Sequence, residues 1–192
     1  MNTKPFSPLI ISPPRFADDR GWFMETYSTT VAADHGITDT FVQDNHSKSI
    51  FSGTIRGIHF QRPPHVQAKM VRCVRGSIID YAVDLRKGSP TYGEWTSAKL
   101  TDLNGQQLYV PEGYGHAFVT LEPETEVVYK VSDVYARDCD GGIAWNDPGI
   151  AIGWPLQGRD PVLSDKDRRL PMLADFDSPF PYDGRPMVKL KT

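Results

Sequence analysis

The sequence has few cysteines, little net charge and no long apolar run. Its 192 residues include two cysteines, Cys73 and Cys139, whose wide separation matches no metal-binding or redox motif. Two cysteines are too few for a disulfide scaffold, so we expect reduced thiols and a cytoplasmic protein. The first six residues lack the apolar core of a signal peptide, and the apolar run Leu9–Ile11 is followed at once by Ser12 and two prolines.

The balance of charge and hydrophobicity excludes two classes of partner. The net charge is −3 and the sequence pI is about 5.9, whereas a nucleic-acid surface needs a basic face. No stretch approaches the ~20 apolar residues of a membrane span. We therefore predict a protein that binds neither nucleic acid nor membranes. With 39% hydrophobic residues, a chain of this length is expected to form one domain with a substantial core.

Glycine and proline are abundant, with 16 of each, and they divide the chain into short pieces. Strand-like runs lie between them at spacings of roughly ten residues, which is typical of an all-β sandwich or barrel. The predicted strands are 23–27, 41–43, 54–60, 69–74, 77–84, 94–100, 107–110, 117–121 and 126–131. Helical signals are limited to residues 30–35 and to Ser164, which has Asp167 three residues later. The Pro-rich stretch 179–186 predicts an extended arm that either packs or frays.

One segment, Arg56 to Lys69, concentrates basic and histidine side chains around a Pro63–Pro64 turn. Gly57 comes two residues before His59, and a glycine inside a strand often marks a bulge or the close approach of a ligand or backbone. Cations beside a proton acceptor suggest a site for an anionic substrate on which negative charge develops. The same pattern also fits a segment without a functional site, in which the basic residues lie at solvated strand ends and the histidine is bonded within the core.

Four further clusters carry polar residues that a plain β-sandwich does not need. Each cluster taken alone can also be explained as a turn or as a solvent-exposed face. These clusters are 18–27, 43–47, 110–118, and 129–135 together with 163–167. The third cluster, a turn with two glycines, brings His116 to the start of an apolar strand. In the last cluster, Tyr129 and Tyr135 have the same parity, so a regular strand would aim both at one face, ~20 Å apart. Both tyrosines can contact one ligand only if it is long or the strand bends.

Seven segments occur in the order and spacing of one protein family. They are Asp19-Arg20-Gly21, Gln43-Asp44-Asn45, Arg56-Gly57-Ile58-His59, Pro111 to Phe118, Tyr129-Lys130, Ile143 to Pro148, and Leu163 to Asp167. The chain thus resembles the dTDP-4-dehydrorhamnose 3,5-epimerases over roughly residues 5 to 175. The resemblance implies an all-β jelly-roll (cupin-like) fold with a few short peripheral helices. It also implies a single domain over residues 1–192 with an extended tail from about residue 176, a homodimer, and no metal or organic cofactor.

The resemblance further implies a role for each matching residue. His59 is expected to accept protons and to pair with Asp167, and Tyr129 is expected to donate protons. Lys69 is expected to stabilise the enolate oxygen that forms between these steps. The implied substrate contacts are Arg20, Glu25, Gln43, Asp44, Asn45, Arg56, His116, Tyr135, Asp140 and Lys166. Among them, Tyr135 would stack on the nucleotide base, and Asp140 stands where the family pattern has a longer Glu.

The implied substrate is dTDP-4-dehydro-6-deoxy-D-glucose, whose 4-keto group acidifies the hydrogens at C3 and C5. Its product leads to dTDP-L-rhamnose, a precursor of cell-surface polysaccharide. Three alternatives stay open: an epimerase that inverts only one of these carbons, a metal-dependent cupin enzyme, and a non-catalytic carbohydrate-binding jelly roll. Against the metal enzyme, His59 and His65 lie six residues apart across the Pro-Pro turn. A homodimer that exchanges its N-terminal segments would bring Arg20 and Glu25 to the neighbouring site.

Overall fold

The computed structural model describes residues 4–191, in which most of the regular secondary structure is β-strand. Residues 1–3, where we expected no signal peptide, and Thr192 lie outside this range. The described part contains twelve strands: β1 Leu9–Ile11, β2 Arg15–Asp18, β3 Gly21–Met24, β4 Gln43–Ser49, β5 Ile55–Gln61, β6 Lys69–Arg75, β7 Ser77–Asp84, β8 Trp95–Thr101, β9 Gln107–Val110, β10 Tyr114–Thr120, β11 Thr125–Val131 and β12 Asp140–Gly142. Its helices are α1 Thr29–Asp34 and three single-turn 3₁₀ helices, Arg137–Cys139, Asp167–Arg169 and Leu173–Asp175.

Two five-stranded antiparallel sheets form a sandwich. The first sheet has the order β1-β9-β6-β11-β4, the second has the order β12-β5-β10-β7-β8, and the β2–β3 hairpin forms a separate ribbon. Their facing surfaces share a core of Val71, Cys73, Leu108, Val110 and Val127 from the first sheet with Ile78, Ala82, Leu100, Tyr114 and Phe118 from the second. This architecture confirms the all-β prediction.

Both outer faces are also covered by apolar side chains. On the second sheet, Phe60 and Tyr81 pack in a cluster with Ile143 and Phe176 from the segment that follows β12. On the first sheet, Met70 and Tyr109 share a cluster with Ala32 of α1 and Ile37. Side chains alternate between the two faces of a strand, so each strand has a second set of positions that points between the sheets. At one end of the sandwich those inward positions are polar.

Strands β1, β2 and β12 lie outside the predicted strands, and β4 differs in its position from the expectation. The sequence predicts a strand at 41–43 followed by a polar loop, whereas the strand occupies Gln43–Ser49. Its even-numbered positions, Asp44, His46 and Lys48, are exposed, and the odd-numbered ones are partly or fully buried. Both faces are polar because one meets solvent and the other meets a polar cleft, so the hydrophobic alternation that marks other strands is missing.

A β-bulge at Gly57 sets which side chains point inward. His59 pairs with His116 and Arg56 pairs with Phe118, so three steps along β5 match two steps along β10. The extra residue lets Arg56 and His59 share the inward face, although they would face opposite sides of a regular strand. Gly57 has φ +129°, and a Cβ there would lie 2.5 Å from the Cβ of Ala117. The glycine therefore marks both a bulge and a close backbone approach, the two possibilities that the sequence suggests.

The C-terminal arm packs against the sandwich. Phe180 and Met187 are buried, and the Arg86 guanidinium bonds both the carboxylate of Asp84 and that of Asp183 in the arm, at 2.8 and 3.1 Å. A buried Arg bonded to two carboxylates holds both segments in place. Within residues 4–191, no helix has the length and apolar character needed to cross a membrane.

We predict that Gly57→Ala lowers the free energy of unfolding by about 2–6 kcal/mol, because overpacking and backbone strain each cost ~1–3 kcal/mol. Gly88→Ala is the matched control, since Gly88 has φ +84° but no atom within 4 Å of an added Cβ. Its expected loss is ~1–2 kcal/mol, from the left-handed backbone alone. Denaturant unfolding of both variants measures this difference, and equal losses would contradict the close approach at Gly57.

Candidate active site

A cleft of about 300 Å³ opens between the sheets where β5 and β12 face β4, β6 and β11. Its lining residues are Gln43, Asn45, His59, Phe60, Gln61, Gln67, Lys69, Tyr129, Tyr135, Asp140 and Lys166. Eight of the fourteen predicted site residues are among them. Segments that are far apart in the sequence thus meet in one place, because the sandwich brings their inward positions together.

His59 and Asp167 form a hydrogen-bonded pair at one wall of the cleft. The Nε2 atom of His59 lies 2.5 Å from Oδ1 of Asp167. The hydroxyl of Ser164 donates to the other carboxylate oxygen at 2.7 Å and accepts the backbone N–H of Asp167 at 3.1 Å. The His59 side chain is 28% exposed and that of Asp167 is 4% exposed. The imidazole therefore reaches the cleft, while the carboxylate behind it is shielded from water.

The environment favours a neutral imidazole beside an ionised carboxylate. Burial lowers the pKa of His59 below its ordinary value, against the opposing hydrogen bond and charge of Asp167. Burial alone would raise the pKa of Asp167, but hydrogen bonds from His59 and Ser164 outweigh it and the pKa is lowered. With Nε2 bonded to a carboxylate, the proton of neutral His59 belongs on Nε2, and Nδ1 keeps a free lone pair.

Lys69 lies in the floor of the same cleft at the start of β6. The residue is buried, and its ammonium group donates to the backbone carbonyl of His59 at 3.5 Å. Burial lowers the pKa of Lys69 to about 8, although the carboxylates of Asp80 and Asp140 oppose this shift. A cation with incomplete hydrogen bonding beside the base is suited to a negative charge that develops on a ligand.

His116 and Asp80 form a second buried pair beneath the cleft. The Nε2 atom of His116 lies 2.6 Å from Oδ1 of Asp80, and both residues are buried. The other carboxylate oxygen of Asp80 has no hydrogen-bond partner among the described residues. Burial raises the pKa of Asp80, while the nearby His116 and Lys69 oppose the shift. His116 supports the floor through this pair and is not one of the residues that line the cleft.

Tyr129 and Arg56 approach from the remaining sides. Tyr129 projects from β11, and its ring centroid lies 6.4 Å from that of His116. Burial raises the pKa of Tyr129, so its phenol stays protonated near neutral pH. Arg56 donates to the hydroxyl of Ser49 and to the carbonyl of Lys48 at 3.3 and 3.0 Å, which anchors its guanidinium beside the cleft.

Three predicted substrate contacts meet at the mouth of the cleft. The carboxylate of Asp140 accepts hydrogen bonds from Lys166 at 2.5 Å and from the Tyr135 hydroxyl at 3.2 Å. Tyr135 reaches this position because β11 ends at Val131 and the chain turns away from the strand axis. Because of this bend, Tyr129 and Tyr135 line the same cleft and can both contact one ligand.

Three other predicted site residues lie away from the cleft of their own chain. Arg20 is exposed at the turn of the β2–β3 hairpin, where it pairs with Asp18 at 2.6 Å, and Glu25 is exposed just after this hairpin. Asp44 points to the opposite face of β4 and pairs with Lys130 at 2.9 Å. The alternation of side chains along a strand separates Asp44 from its neighbours Gln43 and Asn45.

Sequence reasoning missed several residues of this region. Asp80 could have been noticed, because a carboxylate in the buried run 77–84 requires a partner. Gln61 and Gln67 line the cleft, but nothing in their sequence context distinguishes them from surface glutamines. Ser164 is expected to cap a helix start, and its hydroxyl does accept the backbone N–H of Asp167. The same hydroxyl also orients the Asp167 carboxylate, and the 3₁₀ helix begins only at Asp167.

Comparison with known proteins identifies the family. A family model described as dTDP-4-dehydrorhamnose 3,5-epimerase matches residues 6–175. The chain belongs to the dTDP-4-dehydrorhamnose 3,5-epimerase family. A curated member from Methanothermobacter thermautotrophicus is 47% identical over 168 residues, which cover 87% of this chain and 90% of that protein. The predicted family and the predicted activity class, an epimerase, are thereby confirmed.

Solved structures extend the similarity to the fold. The dTDP-6-deoxy-D-glucose-3,5-epimerase of Legionella pneumophila, in complex with dTDP-4-keto-L-rhamnose, is 36% identical with a TM-score of 0.87, covering 95% of this chain and 98% of that one. A 3′-monoepimerase from Streptomyces bikiniensis, in complex with dTDP-quinovose, is 32% identical with a TM-score of 0.81, covering 90% and 87%. This similarity confirms the predicted jelly-roll fold of the chain.

Within residues 4–191, His, Cys, Asp and Glu side chains form no group of three or more that could hold a metal ion. His59 in the cleft and His116 beneath it are each bonded through Nε2 to a buried carboxylate. In each pair, the imidazole nitrogen and the carboxylate oxygen hold a proton at a fixed position between them.

We predict that Asp80→Asn lowers the pKa of Lys69 below its value of about 8, because it removes a negative charge that favours the ammonium form. NMR titration of the lysine Nζ resonances in the full chain measures this pKa. Asp44→Asn is the control, since Asp44 pairs with Lys130 on the outer face. An unchanged Lys69 pKa in Asp80→Asn would contradict the electrostatic link.

Proposed function

We propose that this cleft epimerises C3 and C5 of dTDP-4-dehydro-6-deoxy-D-glucose to give dTDP-4-dehydro-L-rhamnose, on the route to dTDP-L-rhamnose. The observation that carries the proposal is the 2.5 Å contact between His59 and Asp167 in a cleft that Tyr129 enters from the other sheet. A base and an acid on opposite walls are what inversion at a carbon requires, since the proton leaves one face and returns to the other.

His59 is the base. Its Nδ1 lone pair takes the proton from C3, and the electron pair of the C–H bond moves to the 4-keto oxygen to form an enolate. Asp167 stabilises the imidazolium through Nε2 and fixes the ring orientation. A positioned base contributes about 10²–10⁴ to a rate, while enzymes typically need at least ~10⁶, so further stabilisation has to act on the enolate.

Lys69 supplies this stabilisation, because its buried ammonium lies beside the base and faces the cleft. An ammonium in a water-poor site stabilises an enolate oxygen far better than it would in bulk water. Tyr129 then donates its phenolic proton to the opposite face of the carbon. Solvent reprotonates the phenolate and accepts the proton from His59, so the cycle at C5 can follow with the same groups. The overall reaction is an isomerisation that needs no co-reactant.

The anionic part of the substrate lies toward the mouth of the cleft. Arg56 and Lys166 are the cations that bind the diphosphate, where guanidinium geometry suits phosphate oxygens. Tyr135 stacks on the base, and Gln43, Asn45 and Asp140 supply polar contacts. Binding of the diphosphate releases Lys166 from Asp140, since both compete for the same ammonium group. His116 supports the sugar subsite from below through its pair with Asp80.

The enzyme acts as a cytoplasmic homodimer in which each chain is a single domain over residues 1–192. Exposure of Phe16, Trp22 and Phe23 on the β2–β3 hairpin supports the dimer, because three large exposed apolar side chains on one ribbon mark an interaction surface. Arg20 lies at the turn of this hairpin and Glu25 lies just after it, and both are away from the cleft of their own chain. In the dimer, they complete the partner's site.

We predict that incubation with the 4-keto sugar nucleotide in deuterated water places deuterium at both C3 and C5, because the same base and acid serve both acidified carbons. NMR or mass spectrometry of the sugar measures the incorporation. Incorporation at C3 or C5 alone would make the enzyme a mono-epimerase, and incorporation at neither carbon would overturn the proposed reaction.

Separate removal of the base and the acid should have different effects. We predict that His59→Ala abolishes deuterium incorporation while dTDP still binds. Tyr129→Phe should retain incorporation but lose at least ~10²-fold in inversion, since deuterium then returns only from the face of the base. Isotope content and epimer ratio, measured on the same sample, separate the two variants. Rapid incorporation by His59→Ala would remove His59 from the role of base.

A further inference from the structure

Gln61, the last residue of β5, has no role in the reaction proposed above, yet its buried side-chain amide uses all of its hydrogens. The Nε2 group donates to the carbonyl of His65 at 2.7 Å and to the carbonyl of Val134 at 3.1 Å. The Oε1 atom accepts the backbone N–H of Ala136 at 2.7 Å. One side chain thus bonds the turn after β5 and both residues that flank Tyr135.

The segments held by this amide lack a strand partner. Residues 62–68 and 132–136 are irregular, so only some of their backbone groups bond to other backbone groups, and the rest need side chains or water as partners. The N–H of Tyr135 itself donates to Oε1 of Gln43 at 3.0 Å. Two glutamine side chains therefore fix consecutive backbone groups around Tyr135, although the tyrosine is 57% exposed.

A second set of contacts joins the same two segments. Gln67 donates to the carbonyl of Asp133 at 2.8 Å, and the Ser132 hydroxyl accepts the N–H of Ala68 at 2.8 Å. The imidazole of His65 lies 3.1 Å from the carboxylate of Asp133, which gives a structural role to this otherwise unassigned histidine. Gln61 lies at the buried centre of this arrangement, with the other contacts nearer to solvent.

An exposed aromatic ring on a fixed backbone is what a stacking platform requires. Ordering a loop upon binding costs free energy, and a loop that is already held in place avoids that cost. We propose that Gln61 is a positioning residue for nucleotide binding, which presents the Tyr135 ring at the mouth of the cleft by fixing the backbone at Val134 and Ala136. The inference rests on the proposed stacking of Tyr135 on the base.

Gln61→Glu tests the inference, because it replaces the donor group by a carboxylate oxygen that faces two carbonyl oxygens. Base–aromatic stacking is worth ~1–3 kcal/mol, so Tyr135→Ala should raise the dTDP dissociation constant roughly 5- to 150-fold. Gln61→Glu should raise it by about tenfold, within this range. Calorimetry with dTDP on the full chain gives each constant. The KM for the sugar nucleotide should rise more than kcat falls.

Gln107→Glu is the matched control. Gln107 is also buried and donates to a backbone carbonyl, that of Thr26 at 2.6 Å, but it lies outside the cleft. This variant should lose thermal stability without a change in dTDP affinity. A loss of dTDP affinity equal to that of Gln61→Glu would show that general destabilisation explains the effect, and would overturn the positioning role.

A double-mutant cycle separates positioning from direct contact. If Gln61 acts through Tyr135, Gln61→Glu should add nothing to the loss caused by Tyr135→Ala. Additive losses, or unchanged affinity in Gln61→Glu alone, would overturn the inference while leaving the stacking intact. Unchanged affinity in Tyr135→Ala would instead refute the stacking role.

Two further measurements do not depend on how well Gln61→Glu folds. Gln61→Met removes all three hydrogen bonds without burying a charge, and it should weaken dTDP binding in the same direction. In the unmodified chain, the Ala136 amide should exchange slowly with solvent, because its N–H is held by Gln61. Fast exchange of that amide would contradict the fixed loop.

Discussion

The hydrogen bond between His59 and Asp167 joins residues 108 positions apart, and the site depends on it. Its histidine side requires the bulge at Gly57, which turns His59 inward together with Arg56. Its carboxylate side requires the 3₁₀ turn at Asp167–Arg169, where Ser164 holds the second carboxylate oxygen. Asp167 is shielded from water, so its charge acts on the imidazole with little screening. The bulge at Gly57 and the 3₁₀ turn therefore act together to form this one contact.

The cleft replaces apolar core at one end of the sandwich with buried polar groups. Asp80, His116 and Lys69 are all buried, and each would be costly there without a partner. The pair of Asp80 with His116 offsets part of this cost, and the carbonyl of His59 gives Lys69 one acceptor. Buried ion pairs of this kind add little net stability and are better explained by function than by the needs of the fold. The apolar clusters on both outer faces supply the stability that the cleft does not.

The sequence predicts strands 77–84 and 107–110 with the same bounds as the structure, because apolar residues and turn signals coincide there. It fails for β4, since polarity on both faces leaves no periodic signal. The family resemblance locates most residues of the site, but it does not indicate which face of a strand they occupy. For that reason, the resemblance does not show that Asp44 lies on the outer face. The roles of Gln61 and Asp80 depend on partners from distant strands, which local sequence does not specify.

The proposed reaction requires that His59 is a neutral base whose free nitrogen is Nδ1. Nitrogen-15 NMR of the imidazole at neutral pH measures this protonation state, because protonated and unprotonated ring nitrogens differ widely in chemical shift. We predict a proton on Nε2 and an unprotonated Nδ1, and in Asp167→Asn we predict loss of this single tautomer. A proton on Nδ1 at neutral pH, with or without one on Nε2, would contradict the assignment of His59 as the base.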